Sequence, residues 1–212
     1  RAIAATKSVK DLNQKKSPSK HSVRANLIYG GVGISRDEKD LSMNFMKVAA
    51  TYGYKLNKKY TLSSTFGITQ FSNISYSDSK GSLSSPNFYP EASLSLARHF
   101  SQFTVGASYD MLNYFTINSN DTSIVLNPIV NHRLKLSTFA SFTKNLGFIG
   151  SVGYIQSSDG NLSGLDTSIG LNYKIGKRYS ISAIGYQNNV DVKDASTSES
   201  SSAWVLSFGM GF

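Results

Sequence analysis

The sequence of 212 residues contains no cysteine and has no long apolar run. The absence of cysteine excludes disulfide bonds and thiolate metal sites. A membrane helix needs ~20 consecutive apolar residues, whereas the apolar segments here are interrupted early, as at Phe45-Met46, which is followed by Lys47. Only a closed β-barrel could therefore cross a membrane, because an open sheet edge in lipid leaves backbone groups without partners.

Charged residues are also scarce, at 17% of the chain, compared with ~25% in soluble domains. Lysine and arginine outnumber the acidic residues by 22 to 13, which gives a net charge of +9. Such an excess suits a nucleic-acid-binding protein. However, six of the basic residues lie within residues 1–20 and many others in short turns, and no nucleic-acid-binding motif is present. We therefore expect no nucleic-acid partner.

The N-terminal segment differs from the rest of the chain. Residues 1–22 are rich in lysine and serine and contain Pro18. They lack the apolar core of a secretion signal, so we expect the sequence to be that of a processed, exported protein. Two domains are predicted: a basic extension at residues 1–22, which is either a flexible tail or a plug, and a β-domain at residues 23–212.

From residue 23 onward the apolar residues recur with a period of two, which is typical of strands. Ten strands are predicted, at residues 23–35, 41–54, 60–76, 91–99, 102–115, 133–143, 147–157, 165–175, 178–190 and 202–212. In 165–175 one face carries Leu165, Thr167, Ile169, Leu171, Tyr173 and Ile175, and the other carries Asp166, Ser168, Gly170, Asn172 and Lys174. The alternation is weaker in the first two strands and in 178–190, where we expect bulges.

Short basic turns bracketed by aromatic residues alternate with longer connections. The brackets are Tyr54 and Tyr60, Phe142 and Phe148, and Tyr173 and Tyr179. Aromatic rings of this kind sit at a membrane–water interface, so these six are predicted interface residues of short periplasmic turns.

The connections at the opposite end are predicted to be longer, and they carry nine of the 13 acidic residues. They lie at 36–40, 77–90, 116–132, 157–164 and 191–201. An additional hairpin inside 116–132 would place acidic loops beside basic turns, so we predict ten strands rather than twelve. Pro128 supports a loop there because proline cannot donate to a ladder. Lys39, Lys80 and Arg133 are the basic residues expected near the outer rim.

The last strand alternates large apolar residues with small ones. Trp204, Leu206, Phe208, Met210 and Phe212 occupy every second position, and Phe212 ends the chain. With the alternation and the aromatic brackets, this pattern resembles small bacterial outer-membrane β-barrels. The resemblance implies an all-β, antiparallel transmembrane barrel that contacts outer-membrane lipids. It also implies insertion by the barrel-assembly machinery, with Trp204, Phe208, Met210 and Phe212 as the assembly signal.

A soluble β-sandwich or lipocalin-like barrel is the alternative fold. Both topologies place large apolar residues on one strand face, so the other face decides between them. That face is dominated by glycine, serine, alanine and threonine, whereas soluble surfaces carry many charges. The small polar face therefore favours the membrane barrel, with these residues lining its bore.

The charged residues predicted to point into the bore are the main candidate functional residues. They are Lys47, Glu91, Asp110, Lys135, Asp166 and Lys174. They could line a narrow channel and select solutes, or they could pair with one another and seal it. The small side chains of the remaining lining favour a narrow porin-like channel for ions or small solutes.

Other functions remain as alternatives. A structural or adhesive surface barrel is one, and a variant of it self-associates through the lipid-facing sides of strands 23–35 and 178–190, where Gly30, Gly31, Gly33 and Gly185 would permit close approach. A hydrolase would need His132 beside a serine, but serines are so abundant that such proximity carries little weight. The three histidines have no metal-site spacing. We therefore expect a protein that is not an enzyme and binds no cofactor or metal.

Overall fold

The computed structural model describes residues 19–36, 39–76, 88–120, 123–193 and 198–212. Most of the predicted N-terminal extension, residues 1–18, lies outside these ranges. The strands are β1 (His21–Arg36), β2 (Lys39–Lys55), β3 (Tyr60–Tyr76), β4 (Phe88–His99), β5 (Phe103–Asn120), β6 (Ser123–Ser141), β7 (Leu146–Ser157), β8 (Leu162–Ile175), β9 (Tyr179–Val192) and β10 (Ser198–Gly211). Within the described ranges, no helix is long and apolar enough to span a membrane.

The ten strands form a closed antiparallel barrel in which each pairs with its sequence neighbours. The barrel closes between β1 and β10, where Leu27 lies opposite Phe208 and Gly31 opposite Trp204. The backbone N–H of Phe212 donates to Val23 O at 2.9 Å, so the chain end is fastened to the first strand. The predicted ten-stranded barrel is confirmed.

The prediction of a loop at residues 116–132 is wrong. β5 and β6 continue through it as a paired hairpin as far as Asn120 and Ser123. Pro128 lies in β6 opposite Phe115. β6 pairs with β7 only from Asn131 onward, so at Pro128 the neighbouring strand is β5 alone. On the side away from β5 there is no ladder at this position, so the missing N–H of proline costs no hydrogen bond there.

Of the three strands in which bulges were expected, only β2 has an irregular register. β1 and β9 pair with both neighbours in unbroken register. A register shift instead separates Ser42 from Asn44, between β2 and β3. Asn73 lies at this bulge with φ of 50°, a left-handed conformation that asparagine tolerates better than most residues.

The outward face of the barrel is apolar. Trp204 is 48% exposed, and Leu206 and Phe208 are exposed to a similar degree, whereas Ala203, Val205 and Ser207 between them point inward. On β8 the leucine and isoleucine face is exposed while Asp166 and Asn172 are buried. Soluble monomers rarely expose contiguous apolar patches beyond a few hundred Å², so a continuous apolar wall of this kind identifies a transmembrane barrel.

The two ends of the barrel differ in charge. The end formed by residues 56–59, 100–102, 142–145 and 176–178, together with the start of β1 and the end of β10, is called the turn end; the opposite end is called the loop end. The described turn end is basic, with Lys58, Lys59, Lys144, Lys177 and Arg178 and no acidic side chain in its four turns. At the loop end, the β7–β8 turn is built around Asp159, which accepts hydrogen bonds from Ser157 and Asn161 that hold its pKa below the ordinary value.

Candidate functional site

The interior of the barrel divides into three zones along its axis. The outer chamber, toward the loop end, is lined by Ile28, Val32, Ile34, Met43, Phe45, Phe71, Leu112, Ala203 and Val205. The ionic waist below it contains Lys47, Glu91, Asp110, Arg133, Lys135 and Asp166. The inner vestibule, at the turn end, is lined by Ser22, Arg24, Thr51, Gly53 and Ser63 together with Lys177, Arg178, Gly211 and Phe212.

One side of the ionic waist is a single ion pair between β2 and β4. Lys47 Nζ contacts Glu91 Oε2, and Thr69 Oγ1 donates to the second carboxylate oxygen, Oε1, at 3.0 Å. Gly67 of β3 lies between the two strands, directly opposite Glu91 and Ala49. A Cβ at Gly67 would lie 2.8 Å from Lys47 Cε, so the lysine reaches its partner across a position without a side chain.

The other side of the ionic waist is a network around Arg133. Its Nε and Nη2 atoms lie 2.9 and 2.8 Å from Asp110 Oδ2, and its Nη1 contacts Asp166 Oδ2. Lys135 Nζ adds a longer contact of 3.5 Å to the same oxygen of Asp110. The guanidinium group thus joins β5 to β8, which suits a planar fork with five N–H donors.

Gly153 permits this second arrangement, as Gly67 permits the first. It lies on β7 opposite both Lys135 and Asp166. A Cβ there would lie 2.9 Å from the backbone oxygen of Leu134 and 3.4 Å from Arg133 Cγ. On each side of the waist, therefore, a cation crosses a strand at a glycine and reaches a carboxylate on the strand beyond.

Five of the six predicted bore charges meet in the ionic waist, and one does not. Lys174 lies nearer the turn end, with its Nζ 5.4 Å from the centre of the Phe139 ring. Arg133, which we expected at the outer rim, lies instead in the interior between Asp110 and Asp166. Arg133 lies two residues before Lys135, which places both side chains on one strand face. This spacing was the signal in the sequence that could have identified Arg133 as a bore residue.

The outer chamber departs from the expectation of a bore lined by small polar side chains. Its wall is apolar, and Ile34 and Met43 within it are buried. The rings of Phe45 and Phe71 lie with centroids 6.1 Å apart, and the Phe71 ring is 5.7 Å from that of Tyr89. Thr69, Tyr186 and Asn188 supply polar groups along the side next to the ionic waist. The cavity volume is about 240 Å³.

The half of the bore nearer the turn end matches the small polar lining expected there. Thr51 and Thr65 hydroxyls lie 2.9 Å apart, and those of Ser151 and Ser168 2.7 Å apart. Asn172 Nδ2 donates to Ser182 Oγ at 2.8 Å. These pairs bridge neighbouring strands and leave the inner vestibule, of about 430 Å³, open beside Arg24 and Arg178.

The predicted interface aromatics lie near the turn end. They are Tyr54, Tyr60, Phe142, Phe148, Tyr173 and Tyr179, of which Phe142, Tyr173 and Tyr179 are well exposed. Phe142 and Phe148 lie with ring centroids 6.4 Å apart, and Tyr179 stacks on Phe208 at 5.8 Å. Arg98 lies over the Tyr60 ring at 5.7 Å. Their role at a lipid interface stays a prediction, as does the assembly role of Trp204, Phe208, Met210 and Phe212.

The histidines do not form a catalytic arrangement within the described residues. His132 Nδ1 lies 2.6 Å from the Tyr109 hydroxyl, and the two rings stack. His99 contacts Thr61 and Thr104, and His21 contacts Tyr52. The described residues also contain no group of three or more histidine, cysteine or acidic side chains that could hold a metal ion.

Comparison with known structures places this fold among barrel proteins of the bacterial outer membrane. An outer-membrane channel of the COG4313 group from Pseudomonas putida F1 superposes with a TM-score of 0.60 at 9% identity, over 94% of this chain and 98% of the other. A FadL homologue from Pseudomonas aeruginosa gives 0.45 at 10% identity, over 92% and 90% of the two chains. The KdgM porin gives 0.45 at 14% identity, over 90% and 99%. No protein-family model and no curated protein matches the sequence.

Proposed function

We propose that this chain is an outer-membrane barrel that forms a narrow, porin-like channel for small solutes. The observation that carries the proposal is a series of three neighbouring cavities along the bore. A cavity of about 210 Å³ within the ionic waist shares Lys47, Glu91, Leu112, Arg133 and Tyr186 with the outer chamber. Its lower wall includes Thr65, whose hydroxyl contacts Thr51 of the inner vestibule.

The ionic waist sets the expected width of this channel. Ten strands leave more interior room than the eight at which side chains just fill a barrel. Long cationic side chains lie along the inner wall on two sides and occupy part of this room. A wide, unselective pore is therefore inconsistent with the geometry, and passage is limited to small solutes. The likeness to a known outer-membrane channel supports this proposal through the fold alone.

Single-channel recording in planar bilayers tests the proposal. The intact protein should give small, discrete conductance steps. The double variant Lys47→Ala/Glu91→Ala removes one ion pair without leaving a lone charge in the waist, so its steps should be at least twice as large. Lys58→Ala/Asp191→Ala is the matched control, because it deletes one charge of each sign at exposed positions outside the bore, and its steps should equal those of the wild type.

Two results would refute the channel. The first is an absence of steps from both the intact protein and a variant lacking residues 1–18. The second is a conductance that is unchanged when the waist pair is removed. Either result would favour a purely structural barrel, the second candidate. The packing of Leu41, Leu162, Val190 and Glu199, all buried near the loop end, is the observation that favours that candidate.

The expected partners follow from the same proposal. The exposed apolar wall would contact outer-membrane lipids, and the terminal strand would be recognised by the barrel-assembly machinery. Gly33 and Gly185 lie on the outward face, where close approach of a second copy would be possible. Gly31 is on the same face but lies beneath the Trp204 ring, and Gly30 points inward beneath the Phe45 ring. Crosslinking in native membranes tests self-association, and recovery of monomers alone would exclude it.

A further inference from the structure

The outer chamber has a lining unlike that of a polar pore. Nine of its lining side chains are apolar, and two of them, Ile34 and Met43, are buried. Water gains little against this apolar part of the wall, because it offers few hydrogen-bond partners. Apolar cavities of about 150 Å³ stay dry and bind benzene. The chamber, of about 240 Å³, is large enough for one aromatic ring with a small substituent.

The charges next to the chamber exclude an ionic ligand. Lys47, Arg133 and Lys135 are three cations, and Glu91, Asp110 and Asp166 are three carboxylates, all of them in ion pairs. A carboxylate ligand would have to displace one of these carboxylates or remain unpaired. An unpaired charge in such surroundings carries a large desolvation cost. An uncharged ligand carries no such cost.

The edge of the chamber beside the ionic waist carries two kinds of polar group. Lys47, Glu91 and Arg133 line it as members of ion pairs. Thr69, Tyr186 and Asn188 lie where the chamber meets the ionic waist. They could accept or donate a hydrogen bond to a single hydroxyl or similar group on an otherwise apolar molecule. The chamber therefore combines an apolar body with a polar edge whose charges are paired and whose other groups are uncharged.

From these observations we infer that the outer chamber is a binding site for small, uncharged, single-ring aromatic or similarly compact apolar solutes. This inference rests on the proposed channel function, in that it names the class of solute the channel would admit from the loop end. The binding site itself requires only the cavity, its lining and the neutral charge balance of the waist.

The four methionines of the chain provide a direct test. Met43 lines the chamber, whereas Met46, Met111 and Met210 are on the outward face. In protein embedded in lipid nanodiscs and labelled with ¹³C at the methionine methyl groups, toluene should shift the Met43 resonance saturably. The other three resonances should show only the linear change that accompanies partitioning into lipid. Benzoate, which has the same ring and a charge, should bind at least tenfold more weakly.

A pair of variants completes the test. Ala203→Phe places a ring in the chamber from β10 and should abolish the saturable shift. Ala183→Phe makes the same change on the outward face of neighbouring β9 and should leave the shift unchanged. The wild-type comparison of Met43 with the other methionines stands even if Ala203→Phe does not fold.

Several outcomes would overturn the inference. They are a Met43 response that is linear like those of the outward methionines, equal binding of benzoate and toluene, and a saturable shift that survives Ala203→Phe in a folded barrel. The result is separable from that of the bilayer recordings. Conductance without toluene binding would refute the solute class alone, and toluene binding without conductance would refute the channel while leaving the binding site.

Discussion

The two sides of the ionic waist use the same construction but differ in burial. In both, a cation crosses a strand at a glycine to reach a carboxylate two strands away. The cations are similarly exposed, with 19% of the side-chain surface of Lys47, 13% of Arg133 and 22% of Lys135 accessible, but the carboxylates differ: Glu91 keeps 12%, Asp110 4% and Asp166 none. The carboxylates of the Arg133 side are therefore enclosed in a structural tie between β5, β6 and β8, and Glu91 on the Lys47 side is the carboxylate that a passing solute can reach.

Replacing Arg133 or Lys47, the main cation of each side, should give the largest difference in stability between the two sides. Arg133→Met would leave Asp110 and Asp166 without their main partner, and loss of one member of a buried ion pair costs about 3–5 kcal/mol. Lys47→Met leaves Glu91 with Thr69 and more solvent, so the loss should be less than half as large. Urea unfolding in lipid vesicles, followed by the gel-mobility shift of heat-treated samples, measures both.

Arg133→Lys is the control for charge alone. It keeps the positive charge but cannot form the fork that reaches both aspartates, so its stability should lie between those of wild type and Arg133→Met. Equal stability losses for Arg133→Met and Lys47→Met would contradict the division into a structural side and an accessible side.

Adding a methyl group at each glycine sharpens the same comparison at a smaller scale. Gly153→Ala would bring a Cβ within 2.9 Å of the backbone oxygen of Leu134, which cannot move without distorting β6. Overpacking of this kind costs about 1–3 kcal/mol. At Gly67 the nearest atom is Lys47 Cε, the far part of a flexible side chain. Gly67→Ala should therefore cost less than Gly153→Ala in the same unfolding measurement, and the reverse order would refute the structural assignment.

These two glycines show where inference from the sequence ends. Alternation alone identifies which residues point inward, and this was enough for ten strands and for five of the waist charges. Alternation does not predict which inward residues contact one another, because that depends on the register between the strands. From the sequence, Gly67 and Gly153 were therefore interpreted only as small residues of the bore lining. In the structure, each leaves room for the side chain of a neighbouring cation to cross its strand.

The misplacement of Arg133 has a related cause. Pro128 and the separation of acidic loops from basic turns suggested a loop, so β6 was predicted to start at residue 133 and its first residue was assigned to the rim. The strand begins ten residues earlier, at Ser123. Likewise, Ile34, Met43 and Phe45 were assigned to strands whose alternation was weak. That weakness arises because large apolar side chains lie on both faces there, outward toward lipid and inward toward the outer chamber.

The smallest effect is expected when one carboxylate on each side of the waist is neutralised, and it should appear as a change in ion selectivity. Glu91→Gln leaves Lys47 unmatched beside the solute path and gives the waist one excess positive charge. A unit charge at ~4 Å in water-like surroundings is worth about 1 kcal/mol, or roughly a fivefold change in the ratio of anion to cation permeability. The reversal potential in a salt gradient should therefore move toward anion selectivity, with little loss of stability.

Asp110→Asn is the matched change on the other side of the waist. Its carboxylate is nearly inaccessible and bound to Arg133 and Lys135, so its loss should lower the free energy of unfolding more than Glu91→Gln does and shift the reversal potential less. A larger selectivity change from Asp110→Asn would place the solute path beside Arg133 instead. Gly153 would then lie on the side of the waist that solutes reach, and Gly67 on the structural side.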